Sequence, residues 1–131
     1  MPSARLYVDR IFIDNDGDTG LKGAGDFLFV MNVTHNGRHD GNDPVIELND
    51  EVFRINTGQT WQANKFFDTN LPSPLDIRFV VQEKDDGTDD WADVTKTGIS
   101  PYNSGSYSVS ATQEGGKMRA TIFASNFFPF R

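Results

Sequence analysis

Carboxylates crowd two short stretches of the chain. The first reads Asp14-Asn15-Asp16-Gly17-Asp18-Thr19-Gly20-Leu21-Lys22-Gly23-Ala24-Gly25-Asp26. Asp14, Asp16 and Asp18 alternate in a glycine-rich loop. Alternate carboxylates in a tight loop converge on one hard cation, and the glycines permit the turns that aim oxygens inward. The start resembles half of a helix–loop–helix calcium loop. That motif needs Gly at its sixth position and Glu at its twelfth, where Thr19 and Gly25 stand. Both flanks also alternate like strands, so the reading is an oxygen-rich cation loop between strands.

The second stretch reads Glu83-Lys84-Asp85-Asp86-Gly87-Thr88-Asp89-Asp90-Trp91-Ala92-Asp93. Two carboxylates about 4 Å apart repel by about 1 kcal/mol even in water, and by more where partly dry. A divalent cation removes that penalty. Calcium accepts the irregular set of six to eight oxygens a loop supplies more readily than magnesium does. The plain alternative is a pair of solvated Asp-Gly turns, which strands commonly carry. Composition favours the cation. Of 19 acids, 15 are Asp, and nine of those lie in residues 14–26 and 85–93. A surface acidic only for solubility would draw on Glu as well.

Other chemistries find little support. The chain has no cysteine, which removes disulfides, thiolate zinc sites and a cysteine nucleophile. A net charge of −7 argues against nucleic acid, which needs a basic stripe. His35-Asn36-Gly37-Arg38-His39 has two imidazoles four apart, but Asn-Gly breaks the helix that would align them for zinc. No Gly-x-Ser-x-Gly elbow or phosphate loop occurs. The Asp clusters are polar and crowded, unlike the apolar cleft that raises one carboxyl for glycoside hydrolysis. The expectation is a binding module and not an enzyme.

The elements that must hold these loops read as strands. Leu6, Val8, Ile11 and Ile13 alternate with a phase slip near Asp9-Arg10. Phe27, Phe29, Met31 and Val33 alternate with Leu28, Val30 and Asn32, which suggests a strand buried on both faces. Val45 and Glu47, then Val52, Phe53 and Ile55, suggest two short strands or one broken one. Thr60–Phe67 is a further strand, and Leu75, Ile77, Phe79 and Val81 mark the clearest. Tyr107, Val109 and Ala111, then Met118, Ala120, Ile122 and Ala124, flank a glycine turn and predict a hairpin. No helical periodicity competes. The expectation is one domain over residues 1–131, an all-β antiparallel eight-stranded β-sandwich. Eleven Phe supply its core. No apolar run approaches the roughly 18–20 residues that span a bilayer. The chain is expected to be soluble, cytoplasmic or secreted, with no visible signal.

On these residues the chain resembles the calcium- and lipid-binding β-sandwich domain of the protein kinase C and synaptotagmin type. Gly23-Ala24-Gly25-Asp26-Phe27-Leu28 is similar to the element that closes that family's first calcium loop, with Asp26 at its aspartate. Phe79-Val80-Val81-Gln82-Glu83-Lys84-Asp85, then Asp89-Asp90-Trp91, is similar to the third loop, with Glu83, Asp85 and Asp90 at matching places. The family's Pro after the first aspartate is Phe27 here, and Asp93 stands where the closing Gly is expected. The resemblance implies one or two calcium ions bridging Asp18 and Asp26 to Asp85 and Asp90. Asp14, Asp16, Asp86 and Asp89 would be alternates or ligands of a second ion. It further implies anionic lipid as a partner, with Leu21 and Trp91 at the loop tips.

Two other functions fit the sequence. One is a carbohydrate-binding sandwich with structural calcium, using Trp61, Trp91 and Tyr102 as stacking platforms for polysaccharide. The other is an assembly subunit whose protein partner covers an apolar patch at Phe127, Phe128 and Phe130.

Overall fold

The computed structural model describes residues 4–16, 25–39, 45–48, 53–55, 57–84, 90–103, 105–113 and 118–128. In chain order the strands are β1 (Ala4–Asp16), β2 (Gly25–His35), β3 (Arg38–His39), β4 (Val45–Glu47), β5 (Phe53–Ile55), β6 (Thr60–Thr69), β7 (Leu75–Lys84), β8 (Asp90–Ile99), β9 (Gly105–Thr112) and β10 (Met118–Phe127). Hydrogen bonding links eight of them in the order β3-β2-β7-β8-β9-β10-β1-β6, while β4 and β5 pair with β2 off that path. Every pairing is antiparallel.

The path folds over at one weak joint. Among the described residues β8 and β9 share a single paired position, Asp93 with Thr112. On one side lies β2-β7-β8 with its short partners, and on the other β9-β10-β1-β6. The inner faces carry the alternating residues. Leu6, Val8, Ile11 and Ile13 of β1 are buried, as are Phe27, Phe29, Met31 and Val33 of β2. Leu75, Ile77, Phe79 and Val81 of β7 join them, with Ala120, Ile122 and Ala124 of β10. Trp61, on the far edge strand β6, stacks on Phe29 of β2 at 4.9 Å between ring centres. That contact joins strands that are not neighbours in the sheet order, and so it is one link across the sandwich.

The phase slip near Asp9-Arg10 is a bulge. The pairing of β1 with both neighbours shifts between Val8 and Arg10, which keeps Leu6, Val8, Ile11 and Ile13 all facing inward. In β2 the second face is half-covered, because Leu28, Val30 and Asn32 keep partial exposure. Val45–Glu47 and Phe53–Ile55 are two short strands that pair with successive stretches of β2, and Asn49 and Asp50 between them lie outside the described residues. The sequence pattern does not mark β8. Ala92 and Ile99 are its fully buried apolar residues, and Asp, Thr and Lys fill much of the rest, so hydrophobic alternation is faint there.

Candidate metal centre

Register decides where the two Asp stretches go. On one sheet Phe27 faces Glu83 across β2 and β7, and Glu83 faces Asp90 across β7 and β8. One step further along, Asp26 faces Lys84. On the other sheet Asp93 of β8 faces Thr112, Thr112 faces Arg119, and Arg119 faces Asn15. Because neighbours are antiparallel, moving from Asp93 toward Asp90 corresponds to moving from Asn15 toward Asp16. β1 therefore ends, β2 begins, β7 ends and β8 begins at one end of the sandwich. These are the four flanks of the two Asp stretches.

The carboxylates that the structure describes differ in their commitments. Asp14 is held to β10. Its Oδ2 accepts a hydrogen bond from the Thr121 hydroxyl at 2.7 Å, and Arg119 Nη2 lies 3.8 Å from its Oδ1. Asp93 is held to β7 by Arg78, whose Nε donates at 3.0 Å and whose Nη2 lies 2.9 Å away. Glu83 continues the inward parity of Phe79 and Val81 and is 4% exposed. A carboxylate drawn that far from water needs compensating charge or hydrogen bonds. Asp16, Asp26 and Asp90 are placed by backbone register alone. Asp18, Asp85, Asp86, Asp89 and Leu21 lie outside the described residues. Among the described residues no group of three or more His, Asp or Glu is close enough to hold a metal ion.

Sequence reading missed the partners of Asp14 and Asp93. Arg119 and Thr121 lie more than a hundred residues beyond Asp14, and no local pattern announces them. The expected sugar platforms do not assemble. Trp61 is half-buried against Phe29. Trp91 is 62% exposed at the start of β8, while Tyr102 is 93% exposed in the 3-10 turn beyond its end. A strand rises about 3.3 Å per residue, which puts roughly 25 Å between them. Phe127 is 47% exposed and Phe128 packs against the core, while Phe130 lies outside the described residues.

No protein-family model matches the chain, and no curated protein matches it. A solved structure does. It is the first-lettered (A) C2 domain of plant extended synaptotagmin 1, which superposes with a TM-score of 0.65 at 14% identity, covering 100% of this chain and 98% of that one. The fold is that of a C2 domain. This bears out the sandwich expected from strand patterning and from the resemblance. In this C2 fold the four strand ends that flank the Asp stretches share one pole. Among the described residues no helix is long and apolar enough to cross a membrane.

Proposed function

We propose that the chain is a non-enzymatic calcium-binding module whose two Asp stretches act as one site. The observation that carries this is the register that brings Asp16, Asp26, Glu83 and Asp90 to the same end of the sandwich. The C2-like fold supports it, since the sequence resemblance to calcium- and lipid-binding domains rests on the same stretches. The donor chemistry fits a hard cation. Carboxylates dominate this end, there is no thiolate in the chain, and both imidazoles belong to the opposite end.

Asp18 and Asp26 from the first stretch, with Asp85 and Asp90 from the second, are the principal ligands in this reading. Asp16, Asp86 and Asp89 are further donors. Asp14 serves differently, because its oxygens already engage Thr121 and Arg119 and so pin the end of β1. Glu83 adds a buried carboxyl at the same end. When bound, calcium supplies the positive charge that lets carboxylates of two loops sit together. The chain's contribution is a rigid pair of strand ends on each side. Trp91, exposed beside Asp90, is suited to enter the headgroup region of an anionic membrane, with Leu21 as a second contact.

Thermal unfolding tests the reading. Millimolar calcium raises the melting temperature and chelator reverses it, because binding to the native state alone stabilises by mass action. Asp18→Asn with Asp90→Asn abolishes the shift. An unchanged melting temperature at every calcium level would contradict the proposal. Calcium-dependent co-sedimentation with anionic vesicles, lost in Trp91→Ala, supports the lipid partner. Its absence in a calcium-responsive protein would restrict the module to calcium alone.

A further inference from the structure

The opposite end of the sandwich holds a hollow of about 250 Å³ lined by His35, Arg38, His39, Asn70, Leu71 and Pro72. We infer that this hollow is a binding site for a phosphate-class oxyanion, with Arg38 as its principal contact. It is independent of the calcium reading.

Charge is the first argument. In a chain with 19 acids and 12 bases, a guanidinium usually finds a carboxylate. Arg5, Arg10, Arg78 and Arg119 each have an Asp within ion-pair distance. Arg38 has none among the described residues. It is exposed, and none of the described residues that line the hollow is an acid. Among the described residues, Asp76 faces Thr34 on β2 and accepts the Gly98 N–H at 3.1 Å.

Local geometry is the second argument. Asn36 and Gly37 take positive φ angles of 48° and 80°, forming a tight turn that pairs His35 with Arg38 and Thr34 with His39. Asn and Gly accept that backbone at little cost, whereas most residues do not. His35 is fixed from both sides. Its Nδ1–H donates to the Pro74 carbonyl at 2.9 Å, and its Nε2 accepts from Asn36 Nδ2 at 3.3 Å. His35 is therefore a positioning residue that ties the turn to the segment entering β7. Both of its nitrogens are used, so the two imidazoles do not form a metal pair, and the adjacent guanidinium repels a cation. Across the hollow, the Leu71 N–H donates to the Thr69 hydroxyl at 3.1 Å, which fixes the wall carrying Asn70.

The polar groups of the lining supply donors: the Arg38 fork and the His39 imidazole. A guanidinium binds two oxygens of one anion at once. An added imidazole matches a third oxygen, which a tetrahedral phosphate has and a carboxylate lacks. The volume leaves room for a small substituent on the phosphate, so the source is either a soluble phosphate compound or a lipid headgroup.

The test titrates inorganic phosphate into the full chain, at constant ionic strength and with chelator present so that calcium plays no part. Resonances of the Arg38 Nε–H and the His39 ring are followed by NMR. The expected result is a saturable shift with a millimolar midpoint. It weakens at least tenfold in Arg38→Ala, less in Arg38→Lys, and not at all in Arg78→Ala on β7, whose guanidinium is already paired with Asp93. Vesicles of phosphatidylcholine with phosphatidic acid, also in chelator, distinguish the sources. Co-sedimentation lost in Arg38→Ala assigns the phosphate to a headgroup, and phosphate binding without co-sedimentation assigns it to a soluble compound. A shift that never saturates, or one of equal midpoint in Arg38→Ala, overturns the inference.

Discussion

The two ends of this sandwich are built from the same strands and carry opposite chemistry. β2 runs from Asp26 at one end to His35 at the other, and β7 returns from Leu75 to Lys84. At the acidic end, four strand ends bracket the Asp stretches, and the carboxylates of Asp14 and Asp93 are tied down by Arg119, Thr121 and Arg78. At the other end a tight hairpin presents Arg38 and His39, with no acid among the described residues of the hollow's lining. The contrast teaches that net charge is a poor guide to this molecule. A value of −7 says nothing of where the charges sit.

If both poles hang on one core, damage to that core should disable both. Phe29→Ala removes a fully buried ring and its stack with Trp61, one link across the sandwich. The expected loss is about 3–5 kcal/mol, seen as a lower midpoint in denaturant unfolding, with calcium and phosphate responses failing together. A mild loss, below about 1 kcal/mol, would mean that other links hold the sandwich together.

The poles should also separate. Asp18→Asn with Asp90→Asn removes the calcium stabilisation, worth about 2.7 kcal/mol at a hundredfold excess over Kd, and leaves the phosphate titration intact. Arg38→Ala does the reverse. Loss of both responses in either variant would show that the ends are coupled.

A finer division runs within the acidic end. Asp14→Ala breaks a charge-assisted hydrogen bond to Thr121 and costs about 1.5 kcal/mol in thermal or denaturant unfolding. The calcium shift survives, because Asp14 pins a strand in this account. Its disappearance would move Asp14 into the ligand set.

The smallest effect belongs to the flank between the poles. Arg5 Nε donates to Asp68 at 2.8 Å on the exposed surface, and this bond holds the Asp68 carboxyl below the usual carboxylate range. A lowered pKa stabilises the fold above the unfolded carboxyl's pKa, and that contribution fades as pH falls through the folded value. Asp68→Asn should therefore flatten the acid limb of the stability profile below about pH 4 by a barely resolvable amount. A large change there would mean that this surface pair is coupled to the core.

Much of the fold was legible because one period dominates. Phe27, Phe29, Met31 and Val33, or Leu75, Ile77, Phe79 and Val81, state the inward face of a strand directly. Even the bulge in β1 shows as a slip in spacing between Val8 and Ile11. β8 was illegible because its inner face carries Ala92 and Val94 among Asp, Thr and Lys, too little apolar contrast to register. At the site, the sequence shows that carboxylates cluster but not which are already engaged. Arg119 with Asp14 and Arg78 with Asp93 are products of strand order. The His35–His39 stretch fails as a zinc pair because of its Asn-Gly turn. The same turn, paired with a wall from residues 70–72, creates a hollow lined by Arg38 that no sequence motif marks.

The central claim is that two separate Asp stretches answer to one ion site. A calcium titration followed by backbone amide resonances tests it most directly. Amides around Asp16–Asp26 and around Glu83–Asp90 are expected to shift together with a common midpoint, while those of Arg38 and His39 stay still. Movement of one stretch alone, or two unrelated midpoints that persist in each single Asp→Asn variant, would contradict it.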